Sequence, residues 1–184
     1  MTPIRFFTLL LVLFAGHHAA AQVARQGFSL TYVHGTARFP GFSVGYERHY
    51  PLSAAYTALT DGQLLVLNRN YQTSLGATFS AGLRRTLNGG LFGEYRLRTG
   101  YVADHYGVNY YQFKDPTGVQ QVSWTHSWLV GGACGLGYDF SRKTSLRLQA
   151  FARVYLFEKL GSTANPFTRA ENFGFETGLI YFLQ

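Results

Sequence analysis

The chain has 184 residues, with 16 Lys and Arg against 9 Asp and Glu, a formal charge of +7, and an aromatic content of 17%. A basic balance suits nucleic acid when the cations cluster; here they alternate with apolar residues and form no basic run, so nucleic acid is not an expected partner. The lone cysteine, Cys134, excludes an intramolecular disulfide. No window past residue 21 approaches twenty apolar residues, which argues against a membrane-spanning helix. It leaves room for membrane-spanning strands, which need only about 9–11 residues each and alternate in polarity.

In chain order, residues 1–21 carry one early cation, Arg5, an apolar run Phe6–Gly16, and the small residues Ala19, Ala20 and Ala21. That pattern reads as a signal peptide cleaved after Ala21, with His17 and His18 inside it, and leaves residues 22–184 as one domain. Two strands follow, Phe28–His34 and Phe42–His49, then a third over Ser53–Leu59 with Ala on both faces. Leu75, Ala77, Phe79, Ala81 and Leu83 alternate with Ser74, Gly76, Thr78, Ser80 and Gly82. Leu91, Tyr95, Leu97, Tyr101 and Ala103 alternate with Glu94, Arg96, Arg98, Gly100 and Asp104. Trp124, Trp128, Val130, Cys134, Leu136, Tyr138 and Phe140 alternate with Thr125, Ser127, Gly131, Ala133, Gly135, Gly137 and Asp139. Leu146, Leu148, Ala150, Ala152, Val154 and Leu156 alternate with Ser145, Arg147, Gln149, Phe151, Arg153 and Tyr155. A last strand, from Phe173, sets Phe175, Thr177, Leu179, Tyr181 and Leu183 against Gly174, Glu176, Gly178, Ile180 and Phe182.

This sustained period of two predicts an all-β fold, an eight-stranded antiparallel up-and-down transmembrane barrel. The predicted connections alternate: Tyr50–Leu52, Thr86–Gly90 and Ser141–Thr144 short; Thr60–Tyr71, Gly107–Val122 and Glu158–Asn172 long. Short turns at one end and long loops at the other fit a barrel with its termini in the periplasm and its loops at the cell surface.

Alternation does not say which face is inside. The polar face mixes many glycines with a few long charges of both signs, as the narrow interior of an eight-stranded barrel requires. The lumenal charge network is therefore expected to comprise Glu47, Glu94, Asp139 and Glu176 with Arg96, Arg98, Arg147 and Arg153, joined by Asp104 and Arg84 and without any lysine. If the last two strands form a hairpin whose index sum is near 329, Arg153 stands opposite Glu176, and a lumenal ion pair is expected there. Tyr101, Trp124, Trp128 and Phe173 form one expected aromatic girdle; Tyr50, Tyr138, Phe140 and Tyr181 form the other.

The ending Glu176-x-Gly178-x-x-Tyr181-x-Leu183 resembles the C-terminal insertion signal that the barrel-assembly machinery reads, and strands such as Gly41–Glu47 share the glycine–aromatic style of small barrels. On these grounds the chain resembles the small eight-stranded outer-membrane barrels: the OmpA transmembrane domain, OmpX and the PorT-like outer membrane β-barrel proteins. The resemblance implies a bacterial outer-membrane location, a lipid surround and dependence on the assembly machinery. It implies no particular activity.

Catalytic and metal patterns are weak. Deacylating barrels set His and Ser two apart on one face, whereas His126 and Ser127 are adjacent and face opposite ways. His34, His49, His105 and His126 lack metal-ligand spacing, so neither metal nor cofactor is expected. The expected function is structural or surface-interacting, as a monomer, with an extracellular ligand taken by loops such as Asn109–Phe113 with its Tyr110, Tyr111 and Phe113. The alternatives are a lipid-modifying barrel enzyme, and a narrow channel or hydrophobic-ligand transporter.

Overall fold

The computed structural model describes residues 24–35, 39–69, 72–115, 118–160 and 173–183. The expected signal peptide, residues 1–21, lies outside them. Eight antiparallel strands close into a barrel in sequence order: β1 (Arg25–Gly35), β2 (Phe39–Pro51), β3 (Tyr56–Arg69), β4 (Gln72–Thr86), β5 (Leu91–Asp115), β6 (Gly118–Asp139), β7 (Leu148–Leu160) and β8 (Phe173–Phe182). The circuit closes where β8 pairs with β1, from Gly27 opposite Phe182 to Gly35 opposite Gly174. No helix among the described residues is long and apolar enough to cross a membrane.

Closure turns one face of every strand inward, and the two faces differ sharply. Leu97 is 70% exposed, whereas its neighbour Arg96 is 1% exposed. Leu30, Val44, Leu64, Phe79, Leu136, Leu156 and Leu179 also point outward and are exposed, while Glu47, Asp61, Arg84, Glu94, Arg153 and Glu176 are buried inside. A water-soluble barrel would reverse this arrangement. An oily exterior around an ionic interior is stable only where hydrocarbon bathes the outside. Cys134 faces outward with this set. Tyr101 packs edge-on against Trp128, and Tyr138 against Phe140, among the outward aromatics toward opposite ends of the wall.

Three connections lie at the end that also holds the first and last described residues; we term this the turn end. Between β2 and β3, Ser53 Oγ accepts hydrogen bonds from the backbone N–H groups of Ala55 (3.3 Å) and Tyr56 (3.1 Å). Between β4 and β5, Gly89 and Gly90 adopt φ of 88° and 98°, which other residues rarely tolerate. Between β6 and β7, a 3₁₀ turn (Phe140–Arg142) is capped by Asp139, whose carboxylate accepts from Ser141 N at 3.0 Å.

The opposite end departs from expectation. Thr60–Arg69 is strand, not loop, and the third strand starts at Tyr56 rather than Ser53. Most of Gly107–Val122 is a continuation of β5 and β6, and β7 runs on through Leu160. The described strands come within a few residues of one another at three of these connections: β1 reaches Gly35 and β2 begins at Phe39, β3 reaches Arg69 and β4 begins at Gln72, and β5 reaches Asp115 and β6 begins at Gly118. The length expected of loops is thus carried largely by strand backbone. It is greatest in β5 and β6, whose ladder reaches Asp115 opposite Gly118, with irregularities between His105 and Tyr110 and between Phe113 and Asp115. We term this the ribbon end.

Candidate functional site: the barrel lumen

The lumen is built by size complementarity across the ladders. Phe92 stands opposite Gly137, Phe151 opposite Gly178, and Tyr155 opposite Gly174. A Cβ on Gly137 would sit 2.3 Å from the Phe92 ring, and one on Gly174 would sit 2.3 Å from the Tyr155 ring. Arg96 lies opposite Gly82, and Arg153 opposite Gly135. In a narrow eight-stranded interior a large side chain gains room where a cross-strand neighbour is glycine.

In the turn-end half these large groups form one connected ionic cluster. Arg96 is its hub. Its Nη2 donates to Glu47 Oε2 at 3.0 Å, its Nε to Glu94 Oε1 at 3.2 Å, and its Nη1 to Asp61. Arg153 donates from Nε to Glu94 Oε1 at 2.5 Å and from Nη2 to Glu47 Oε1 at 3.3 Å. Arg84 donates from Nε and Nη2 to Glu94 Oε2, at 2.9 and 2.6 Å, and from Nη1 to Gln149. Gln149 in turn donates to Asp139 Oδ2 at 2.8 Å, and Arg25 closes the turn end by donating to the same oxygen at 3.2 Å. His49 Nε2 lies 3.2 Å from Glu47 Oε2. The Arg84 and Arg153 guanidinium groups also stack on Phe92 and Phe151, at 3.8 and 3.6 Å from the ring centroids. Isolated buried charges cost several kcal/mol each; mutual pairing with further hydrogen bonds offsets that cost.

Nearer the middle, Arg98 clasps Glu176 with both terminal nitrogens, Nη2 donating to Oε2 at 3.1 Å. Arg153 stands directly opposite Glu176, the register expected from the index sum, yet its nearest approach is 3.7 Å. Toward the ribbon end, Asp104 accepts from Ser74 Oγ at 2.6 Å and from Lys159 Nζ at 2.7 Å.

The structure therefore gathers Glu47, Glu94, Arg96, Arg98, Asp139, Arg153 and Glu176 in the lumen but not Arg147. That residue lies in the connection before β7, exposed, and its Nη1 donates to the carbonyl of Leu183 at 2.7 Å. Its alternation with Leu146 and Leu148 is real in sequence, but β7 begins only at Leu148. Asp61 was missed because Thr60–Tyr71 read as loop, and the lumenal Lys159 because β7 read as ending earlier. Within the proposed insertion signal, Glu176 faces Arg98, Gly178 faces Phe151, and Tyr181 and Leu183 point outward and are exposed.

The histidines are dispersed. His49 joins the ionic cluster, His105 packs on Trp124 at 4.6 Å between ring centroids, and His126 Nδ1 lies 2.8 Å from the Tyr101 hydroxyl on the outer face. His126 is exposed and Ser127 buried, on opposite faces. Among the described residues no group of three His, Cys, Asp or Glu is placed to hold a metal. The side chains of Tyr110, Tyr111 and Phe113 lie outside the described part, although their backbone belongs to β5.

No protein-family model matches the chain, and no curated protein does. Solved structures do. The attachment invasion locus protein Ail of Yersinia pestis aligns with a TM-score of 0.50 at 10% identity, over 87% of this chain and 96% of that one. Neisserial surface protein A aligns at 0.46 and 11%, over 87% and 96%. Ail in complex with the heparin analogue sucrose octasulfate aligns at 0.44 and 11%, with the same coverage. At such identities the likeness concerns the fold. Together with the closed circuit of eight strands and the oily exterior, it makes this chain, by fold, a small eight-stranded outer-membrane β-barrel.

Proposed function

We propose that the barrel is a monomeric surface-interaction protein of the bacterial outer membrane, with its turn end in the periplasm and the β5–β6 ribbon outside the cell. One observation carries this reading. Among the described residues the ribbon rises past its neighbours: β4 pairs with β5 as far as Tyr106, and β7 with β6 as far as Trp128, whereas the β5–β6 ladder continues to Asp115 and Gly118. Among the described residues, the backbone of β5 beyond Tyr106 has β6 on one side and no β4 ladder on the other. A strand edge of this kind offers main-chain donors and acceptors to an extended partner chain. The ionic cluster favours interaction over conduction, because its side chains occupy the narrow turn-end lumen.

The test is to join Tyr106 to Ser123 through an Asn-Gly turn, which removes the ribbon and leaves the barrel wall. The shortened protein is expected to keep its heat-dependent gel migration, while cells that carry it adhere several-fold less to gelatin, an extended polypeptide. Equal adherence by the two proteins contradicts the reading. On the same reading, residues 1–21 are removed on export and Glu176, Gly178, Tyr181 and Leu183 form the stretch recognised by the assembly machinery. The outward exposure of Tyr181 and Leu183 supports the latter. Y181A/L183A should lower the amount of barrel in the outer membrane while leaving refolding into detergent intact; an unchanged amount refutes it.

A further inference from the structure

The ribbon-end half of the lumen is chemically unlike the turn-end half. Above the Arg98–Glu176 pair lies a cavity of about 60 Å³, walled by Val33, Leu65, Val102 and Leu129 and reaching Ser74 and Lys159 at its rim. A space of this size exceeds what one water needs several-fold. Its floor is polar: Gln63 stands directly opposite Thr78, Thr78 opposite Gly100, and Arg98 is the next inward residue of β5.

The floor holds donors that the barrel does not use. Gln63 is 4% exposed and Thr78 6%, yet Gln63 Nε2, Thr78 Oγ1 and Arg98 Nε have no hydrogen-bond partner among the described residues. The Gln63 amide is oriented by Ser43, whose hydroxyl donates to Gln63 Oε1 at 3.3 Å, so its NH₂ group is the free end. Leaving such groups unsatisfied costs about 1–3 kcal/mol each. A carboxamide NH₂, a guanidinium N–H and a hydroxyl therefore border one small oily space.

The charges around this space are already matched. Arg98 gives both terminal nitrogens to Glu176, and Lys159 is held by Asp104. An anion or cation would have to break one of these pairs. We propose that the cavity binds a small uncharged amphiphile, with a carbonyl or hydroxyl oxygen on Gln63, Thr78 and Arg98 Nε and a short apolar body against Val33, Leu65, Val102 and Leu129. The site is separate from the ribbon and does not depend on the surface-interaction reading.

The experiment uses the full barrel in lipid nanodiscs and follows the Gln63 side-chain amide and the Val102 methyl groups by NMR. The probes are 2-pentanone, n-pentane and butyrate. 2-Pentanone is expected to shift both sets of resonances saturably, at concentrations at least tenfold lower than either other probe. Q63L/T78V should abolish that preference for the ketone, and V102F, which fills the space, should abolish the saturable shift itself. Equal behaviour of ketone and alkane, a shift that never saturates, or an undiminished response in V102F would each overturn the proposal. Dispersed spectra and heat-dependent migration establish that each variant is folded, and V102F tests occupancy even if Q63L/T78V does not fold.

Discussion

The two halves of one lumen solve the same packing problem in opposite ways. Toward the turn end, arginines and carboxylates interlock, with Asp61 Oδ1 and Arg153 Nη1 the cluster atoms left without a hydrogen bond among the described residues, and the hub guanidinium alone engages Glu47, Asp61 and Glu94. Toward the ribbon end, aliphatic side chains line a void and leave the donors of Gln63 and Thr78 idle. Burial is similar in both, so exclusion from solvent does not set the difference. What differs is whether the polar groups chiefly meet charged partners or border an apolar space, and that sets the sign of what a substitution does.

The largest effect should come from breaking the ionic half. Arg96→Met removes the charged partner of Asp61 and one of those of Glu47 and Glu94, and is expected to destabilise the barrel by about 3–5 kcal/mol, read as a lowered urea midpoint for folding into lipid vesicles. A midpoint within error of the parent would mean that the cluster contributes little. A smaller loss, about 1–3 kcal/mol, is expected from Gly137→Ala, whose new methyl meets Phe92; Gly132→Ala, where the nearest atom is Arg96 O at 3.4 Å, should be close to neutral. Similar losses at both glycines would refute the role given to cross-strand size matching. In the idle half the sign reverses: Thr78→Val removes an unsatisfied hydroxyl and should stabilise by about 1 kcal/mol, seen as a midpoint shift upward. A destabilisation would show that Thr78 has a partner after all. The smallest effect belongs to Lys159→Met at the rim, where a pair with one partly exposed member should contribute less than about 1 kcal/mol. A double-mutant cycle sharpens the middle ground. Coupling of Glu176 should be strong with Arg98 and weak with Arg153, which lies farther off at 3.7 Å; the reverse ranking would reassign the pair.

Much of the barrel was legible because hydrocarbon and ionic lumen impose opposite polarities on alternate residues. Where that contrast held, as in Leu75–Leu83 or Leu91–Ala103, the reading found both the strand and its faces. It failed in β3 for the same physical reason that the cavity exists. Leu64, Leu65, Val66 and Leu67 are apolar in succession because Leu65 and Leu67 face an oily void while Leu64 and Val66 face outward. A strand greasy on both sides has no period of two, and Asp61 was lost with it. Arg147 failed differently: alternation runs past the end of a strand at no cost, so periodicity cannot place the last residue before a turn. The hydrogen-bonding of Gln63 and Thr78 could not be read at all, since satisfaction is a property of three-dimensional neighbours.

The hub draws its members from strands far apart in the chain: Glu47 from β2, Asp61 from β3, Glu94 and Arg96 from β5, and Arg153 from β7. No single hairpin contains enough of them to neutralise itself. The hub is complete only when β2, β3, β5 and β7 are all in place, so a sheet lacking any of them leaves part of its charge unmatched. The charge balance of the interior is thereby spread around most of the wall rather than held within any one turn of the chain.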